Sequence, residues 1–304
     1  MLAATHLQFR SGECGIESGL GLRHARSRSA RLSFMFQAVP ARAVLAFVFL
    51  SILPLARAQT SSPETRLPTT TASQAAAPVL VELFTSEGCS SCPPADIILQ
   101  RLDDYQPIAG AELIVLSEHV TYWDQLGWKD PNSSAAFTGR QSAYETALGV
   151  KEPYTPQFVI DGSKSVSLEK LQDLEDALNK AKGDAKIPVR ISSIAVDPSD
   201  PATLRAHIEA GTNPAKHNAD VYLAVALNHV ESQVLRGENG GKHLIHVAVV
   251  QQLNKVGKLP KGKSFAQDIE IKLKPNEDVK SIRLVAFAQE SGQGKLLGAS
   301  MQKP

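Results

Sequence analysis

The sequence predicts an α/β domain over residues 78–183, followed by a smaller, mainly antiparallel, sandwich-like β domain over residues 184–304. Three observations predict this arrangement. Up to about Gly183, short apolar β-branched runs alternate with segments of helical period. Beyond it, β-type segments follow one another between Pro and Gly clusters, with no convincing helix. A hydrophobic content of 43% over 304 residues then supplies two modest cores.

Residues 1–58 read as leader and signal peptide. Counting from Met35, the expected start, Arg42 gives a positive charge, Ala43 to Leu55 an apolar core, and Ala56-Arg57-Ala58 a small-x-small cleavage pattern. The mature chain is expected to begin at Gln59; residues 1–34 with Cys14 lie upstream of the expected start, and if translated would be cut away with the signal. The alternative is a single uncleaved membrane anchor, for which the apolar run falls short of the roughly 20 residues needed. No stable span is expected after cleavage, and the remainder is exported, periplasmic or secreted. The leader holds seven Arg and two acids, so 25 of 32 basic and 29 of 31 acidic residues remain, about −4 net. That balance leaves no basic patch for nucleic acid.

Residues 59–77, rich in Thr, Ser, Ala, Gln and Pro, read as a flexible linker. Val79 to Phe84 is a short apolar run opening into Ser86-Glu87-Gly88, which suits a buried strand. Pro93 and Pro94 are tolerated in a helix only in its first turn, so the next helix starts at about Ser90. Ala95, Ile98, Leu102 and Tyr105 form its apolar face. A strand is expected at Glu112 to Leu116, a long loop from Glu118 to Pro131, and a helix from about Ser133 to Leu148 stopped by Gly149. Tyr154 to Ile160 leads into Asp161-Gly162, a favoured hairpin turn, with Lys164 to Ser167 as the return strand. A helix from Leu168 to Lys182 closes the unit. The order β, α, β, α, β, β, α is the core order of a thioredoxin fold. Further strands are expected near Ile187 to Val196, Thr203 to Glu209, Ala219 to Val230, Leu244 to Asn254, Phe265 to Leu273 and Ser281 to Gln289.

After cleavage the cysteines are Cys89 and Cys92, in Cys89-Ser90-Ser91-Cys92. In an oxidising compartment such a pair is either a static bridge or a cycling one, and two-residue spacing favours cycling. A helix N-terminus favours the thiolate, the form that attacks disulfides. Cys89 is expected to be the exposed attacking thiol, and Cys92 the resolving one. The alternatives are a permanent disulfide, which would remove little chain entropy, or half of a zinc site, which lacks a second cysteine pair. Glu82 is an acid in an expected central strand, where an unpaired charge is costly and tends to take up a proton. It could instead sit at a strand end in solvent. The loop from Glu118 to Trp128 holds both tryptophans, and His119, Tyr122 and Trp123 are candidate substrate contacts beside Cys89. Aromatics in such a loop can equally anchor it, and Trp128 is read that way. His243 and His246 lie three apart on one strand and point to opposite faces, so they do not share a metal. His229 and Asn228 read as surface or contact residues.

The string from Glu82 to Asp96, with His119, Thr121-Tyr122-Trp123-Asp124, Gly127-Trp128, Asp130-Pro131 and Tyr154-Thr155-Pro156-Gln157, resembles an exported thioredoxin-like family catalogued as a domain of unknown function. The likeness runs from about Val79 to the C-terminus, including the Glu238-Asn239-Gly240 turn. It implies a thioredoxin-like fold, in which Pro156 is a cis-proline beside the dithiol. The backbone of Thr155 would then pair with a substrate strand, and Glu82 would exchange protons with the inner cysteine. The chain lacks the Trp-Cys-Gly-Pro-Cys signature of thioredoxins, which implies a narrower substrate. The expected function is thiol–disulfide exchange without a cofactor, acting on protein thiols or disulfides and a redox partner protein. The alternatives are a carrier holding Cu(I) through both thiolates and His119, and a non-catalytic binding module.

Overall fold

A computed structural model describes residues 76–274 and 277–304. The expected leader and nearly all of the expected linker lie outside them. The described residues belong to one compact unit and are mostly β. A mixed eight-stranded sheet carries three helices, and a smaller antiparallel sheet has three strands. No helix among the described residues is long and apolar enough to cross a membrane.

The first half runs β1 (Ala77–Thr85), α1 (Pro93–Tyr105), β2 (Ala111–His119), α2 (Ala135–Leu148), β3 (Gln157–Ile160), β4 (Lys164–Ser167) and α3 (Leu171–Lys182). β1 pairs with β2 in parallel and with β3 antiparallel, and β3 turns back into β4. Asp161 and Gly162 both take positive φ in that turn, as a tight hairpin requires. Side chains along β1 alternate. Val79, Val81 and Leu83 face Ala95, Leu99 and Leu102 of α1 and Leu174 and Leu178 of α3. Leu80 faces the opposite side with Phe137 of α2, and Phe84 does so with Tyr144. Truncating a side chain such as Leu83 to Ala in this packing costs about 2–5 kcal/mol. Ser134 caps α2 by accepting from the Ala136 N–H, and Gly149 closes it in the left-handed region.

The second half is β5 (Val189–Asp197), β6 (Asp200–Ala210), β7 (Ala219–Gln233), β8 (His243–Leu259), β9 (Phe265–Lys272), β10 (Ile282–Glu290) and β11 (Leu296–Gln302). The last of these is absent from the sequence expectation. β5, β6 and β9 form the small sheet. Its apolar side chains, among them Ile191, Leu204 and Ile208, pack on Val221, Leu223 and Val225 of β7 and Leu284 and Ala286 of β10, which gives the sandwich-like core.

The strand order of the large sheet is β11-β10-β7-β8-β2-β1-β3-β4. The halves expected at 78–183 and 184–304 therefore share one sheet, through a parallel bridge between Ser117 of β2 and Val249 of β8. Val247 and Ala248 of β8 also enter the core beneath α1 and α3. α1 begins at Pro93 and not near Ser90, because residues 86–92 form two successive turns, Cys89 N–H to Ser86 O and Cys92 N–H to Cys89 O.

Candidate functional site

Cys89 and Cys92 are joined as a disulfide across a Cα–Cα distance of 5.4 Å. Cys92 is the N-cap of α1, and its carbonyl accepts the Ala95 and Asp96 N–H groups. Pro93 and Pro94 have no N–H, so the helix tip offers the ring its dipole but lacks two of the free donors expected there.

The expectation of an exposed Cys89 is corrected. Both cysteines are fully buried. The roof over Cys89 consists of two hydroxyl side chains, Ser91 Oγ at 3.3 Å from its sulfur and Thr155 Oγ1 donating at 3.4 Å. Ser91 Oγ also donates to the Thr155 carbonyl at 3.4 Å. The Thr155–Pro156 peptide bond is cis. Beside this roof opens a cleft of about 550 Å³, lined by Ser91, Tyr154, Thr155, Pro156, Leu168 and Glu169. Gln141 of α2 holds the segment in place by donating to the Tyr154 carbonyl and to Gln157 Oε1.

Trp123 is half-buried, and its indole N–H donates to Thr155 Oγ1 at 2.8 Å, which turns the Thr155 hydroxyl hydrogen toward Cys89. It lies close against Gly88, where an added Cβ would stand 3.0 Å from Trp123 Cβ and 3.3 Å from its carbonyl oxygen, tighter than ordinary contact. Trp123 is thus an orienting residue more than an open platform. Tyr122 is exposed and donates to Gln141 Oε1.

His119 is corrected as a substrate contact. It has no exposed surface, and its Nδ1 lies 2.7 Å from Asp130 Oδ2. Burial opposes the imidazolium, but Asp130, with Asp96 and Glu87 nearby, raises its pKa above the ordinary value. Burial likewise works against the Asp130 carboxylate, yet His119 and the N–H groups of Glu87 and Asn132 hold it below the usual range. This pair belongs to a buried polar cluster beneath the cysteine loop that sequence reasoning missed. Glu87 accepts from Trp128 Nε1 at 2.7 Å and Ser232 Oγ at 3.0 Å. Asp96 accepts from Thr85. The His246 ring meets the His119 ring edge-on at 4.8 Å between centroids. His243 is exposed on the opposite face, as its spacing from His246 implies.

Glu82 is corrected as a proton partner of Cys92. It faces α2, on the side of the sheet away from α1. There Arg140 Nε donates to it at 2.6 Å and Tyr144 Oη at 2.5 Å. Burial and then Glu82 push the Tyr144 hydroxyl well above its ordinary pKa. Neighbouring Glu118 is raised too, by burial first and Glu82 second. The network locks α2 to the sheet. As for Cu(I), the two sulfurs are bonded to each other and His119 is paired to Asp130. Among the described residues no group of three or more His, Cys, Asp or Glu is arranged to hold a metal ion.

No curated protein matches the chain. Among solved structures, the chain is similar to the X-ray structure of Protein AGR_C_4864 from Agrobacterium tumefaciens. The two are 27% identical with a TM-score of 0.56, over 74% of this chain and 94% of that one. An alkylpurine DNA glycosylase from Pseudomonas fluorescens, bound to DNA containing an abasic site analog, is 16% identical over 44% of this chain and 34% of that one. Its TM-score of 0.18 carries no argument. The family model described as "Protein of unknown function (DUF1223)" matches residues 80–289, across the cysteine loop, the Thr155–Pro156 segment and most of the second half, and the chain belongs to that family.

Proposed function

We propose that this chain is an exported thiol–disulfide oxidoreductase built on a thioredoxin-like half, and that Cys89–Cys92 is its working centre. The β1-α1-β2-α2-β3-β4-α3 order, with strands arranged β2-β1-β3-β4 and helices on both faces, supports the thioredoxin-like reading. Export rests on the signal read from Met35 to Ala58. The observation that carries the function is the juxtaposition of the C-x-x-C ring with the cis Thr155–Pro156 segment at the rim of a cleft.

In the exchange, a substrate thiolate attacks Cys89 Sγ and Cys92 leaves as a thiolate. A second substrate thiol then attacks the substrate sulfur of the mixed disulfide and frees Cys89. Two electrons pass from the substrate to the ring, and the same steps in reverse reduce a substrate disulfide. Cys89 is the member attacked, because its roof of Ser91 and Thr155 is partly exposed, whereas Cys92 is tied into the first turn of α1. The exchange requires this roof to open, and the exposed Ser91 side chain is the member free to rotate, a movement on the picosecond to nanosecond scale.

Expressed in its native compartment, Cys92→Ala is expected to accumulate disulfide-linked adducts through Cys89, and a further Cys89→Ala is expected to abolish them. A ring that resists dithiothreitol until the protein unfolds, with no adducts formed, would make the disulfide purely structural.

A further inference from the structure

The tip of the β7–β8 hairpin, residues 234–242, grips the cysteine loop. The tip is closed on itself by Val234 N–H to Lys242 O, Gly241 N–H to Val234 O and Gly240 N–H to Gly237 O. Most of it is exposed, yet Asn239 has no exposed surface. Its amide nitrogen donates to the carbonyls of Glu87 and Cys89, each at 2.9 Å. Its Oδ1 accepts from Lys242 Nζ at 2.8 Å, which fixes which way the amide points. Next to it, Glu238 Oε2 accepts the Ser90 N–H at 3.1 Å, and hydrogen bonds from Ser90 hold the Glu238 carboxyl below its ordinary pKa.

We infer that Asn239 is a positioning residue for the redox ring. It fixes the Cys89 backbone so that the two sulfurs stay within bonding reach after the ring has opened. The inference rests on the oxidoreductase reading above. In the disulfide form, the S–S bond and the Asn239 hydrogen bonds restrain Cys89 redundantly. In the dithiol form the covalent restraint is gone. Ser90 and Ser91 are exposed, so the Cys89 backbone keeps the Cys92 N–H to Cys89 O turn bond at 3.2 Å, the Ser86 turn and the Asn239 contact. Asn239 is the one of these that ties the loop to an element outside itself. A thiol held near its partner has a high effective concentration, which favours ring closure over the open dithiol. Without that hold the Cys89 carbonyl is left to its own turn bond, although Glu238 still accepts the Ser90 N–H and Asp130 the Glu87 N–H; closing the ring then has to order the Cys89 peptide again, and the disulfide loses ground.

The test is equilibration of the mature protein with glutathione buffers, in which two glutathione thiols reduce the ring to the dithiol and form one glutathione disulfide. In Asn239→Ala the equilibrium is expected to move at least tenfold toward the dithiol, about 30 mV for this two-electron couple, with ring closure slowed to match. A merely structural Asn239 would lower the unfolding midpoint equally in both redox states and leave the equilibrium constant unchanged, and that result overturns the inference. The unaltered protein gives a second readout. The Asn239 side-chain amide hydrogens are expected to exchange slowly with solvent in the dithiol form, and fast exchange there also overturns it. Failure to trap any partner with Cys92→Ala would sink the oxidoreductase reading without altering either measurement. A ring that never equilibrates with glutathione would sink both.

Discussion

In the exchange proposed above, the reactivity of Cys89 would turn on the side chain of Thr155. Its hydroxyl accepts from the Trp123 indole and donates to the Cys89 sulfur at 3.4 Å. The bond counts for little while that sulfur is in a disulfide. Once Cys89 is a thiolate, the same bond has a charged acceptor and stabilises the charged form by about 1.5–3 kcal/mol, which corresponds to about one to two pKa units. Thr155→Val keeps the shape and removes the donor. In a Cys92→Ala background, thiolate absorbance followed against pH is expected to show the Cys89 thiol raised by about one unit or more. An unchanged titration would reduce Thr155 to a packing role. The Cys89–Cys92 pair, Thr155 and Pro156 were legible because spacing and a local string mark them. The roles of Glu82 and His119 are not legible there, because they depend on sheet face and on partners outside the local string. A residue's parity on β1 is visible in the sequence, but which helix covers each face is not. Asn239 sits in an ordinary Gly-rich turn. Nothing local announces that its partners are the carbonyls of Glu87 and Cys89.

At the scale of elements, the end of β2 is tied to the loop after it by the buried His119–Asp130 pair, and that loop carries Trp123 over the ring. The two shifts act at opposite ends of the pH scale. Asp130 is depressed in the folded state, so its stabilisation is present above the ordinary Asp value and is lost as pH falls through the depressed one. His119 is raised, so its stabilisation is fully present below 6.5 and is lost as pH rises through the elevated value. The contribution of the pair is greatest between the ordinary Asp and His values. The thermal midpoint is therefore expected to fall as the pH climbs past 6.5. In Asp130→Asn that slope should flatten, and stability near pH 6 should drop by about 3–5 kcal/mol, the usual cost of breaking a buried pair. An identical slope in both proteins would remove the pair as the cause. Elements of the first half are legible where a period or a terminator marks them, such as the helical spacing of α1, Gly149 at the end of α2 and Asp161-Gly162 at the β3–β4 turn. β11 is not. Leu296–Gln302 contains Gly298 and lacks a clean alternation, and it becomes a strand by pairing antiparallel with β10.

For the whole molecule, the shared sheet decides what can fold alone. Residues 76–183 would leave the β2 edge without β8 and would strip Val247 and Ala248 from the core under α1 and α3. They would also lose ties from the far half of the chain. Arg283 of β10 grips Asp103 of α1 through two parallel bonds of 2.7 and 2.8 Å, a strong charge-assisted geometry. Gln289 donates to Tyr144 in the α2 network, and the Leu296 N–H donates to the Asp161 carbonyl. Asn239 would no longer hold the cysteine loop. Domains typically keep a net stability of only about 5–15 kcal/mol, and the lost strand contacts, core residues and buried bonds together are of that size. The fragment 76–183 is therefore expected to lack a cooperative thermal transition, whereas 76–304 unfolds in one step by circular dichroism. Its cysteines, no longer held, should react with a thiol reagent at the rate of an unfolded peptide after reduction. A fragment that melts cooperatively with a protected ring would instead make the first half an independent domain, and the β7–β8 hairpin an accessory to it.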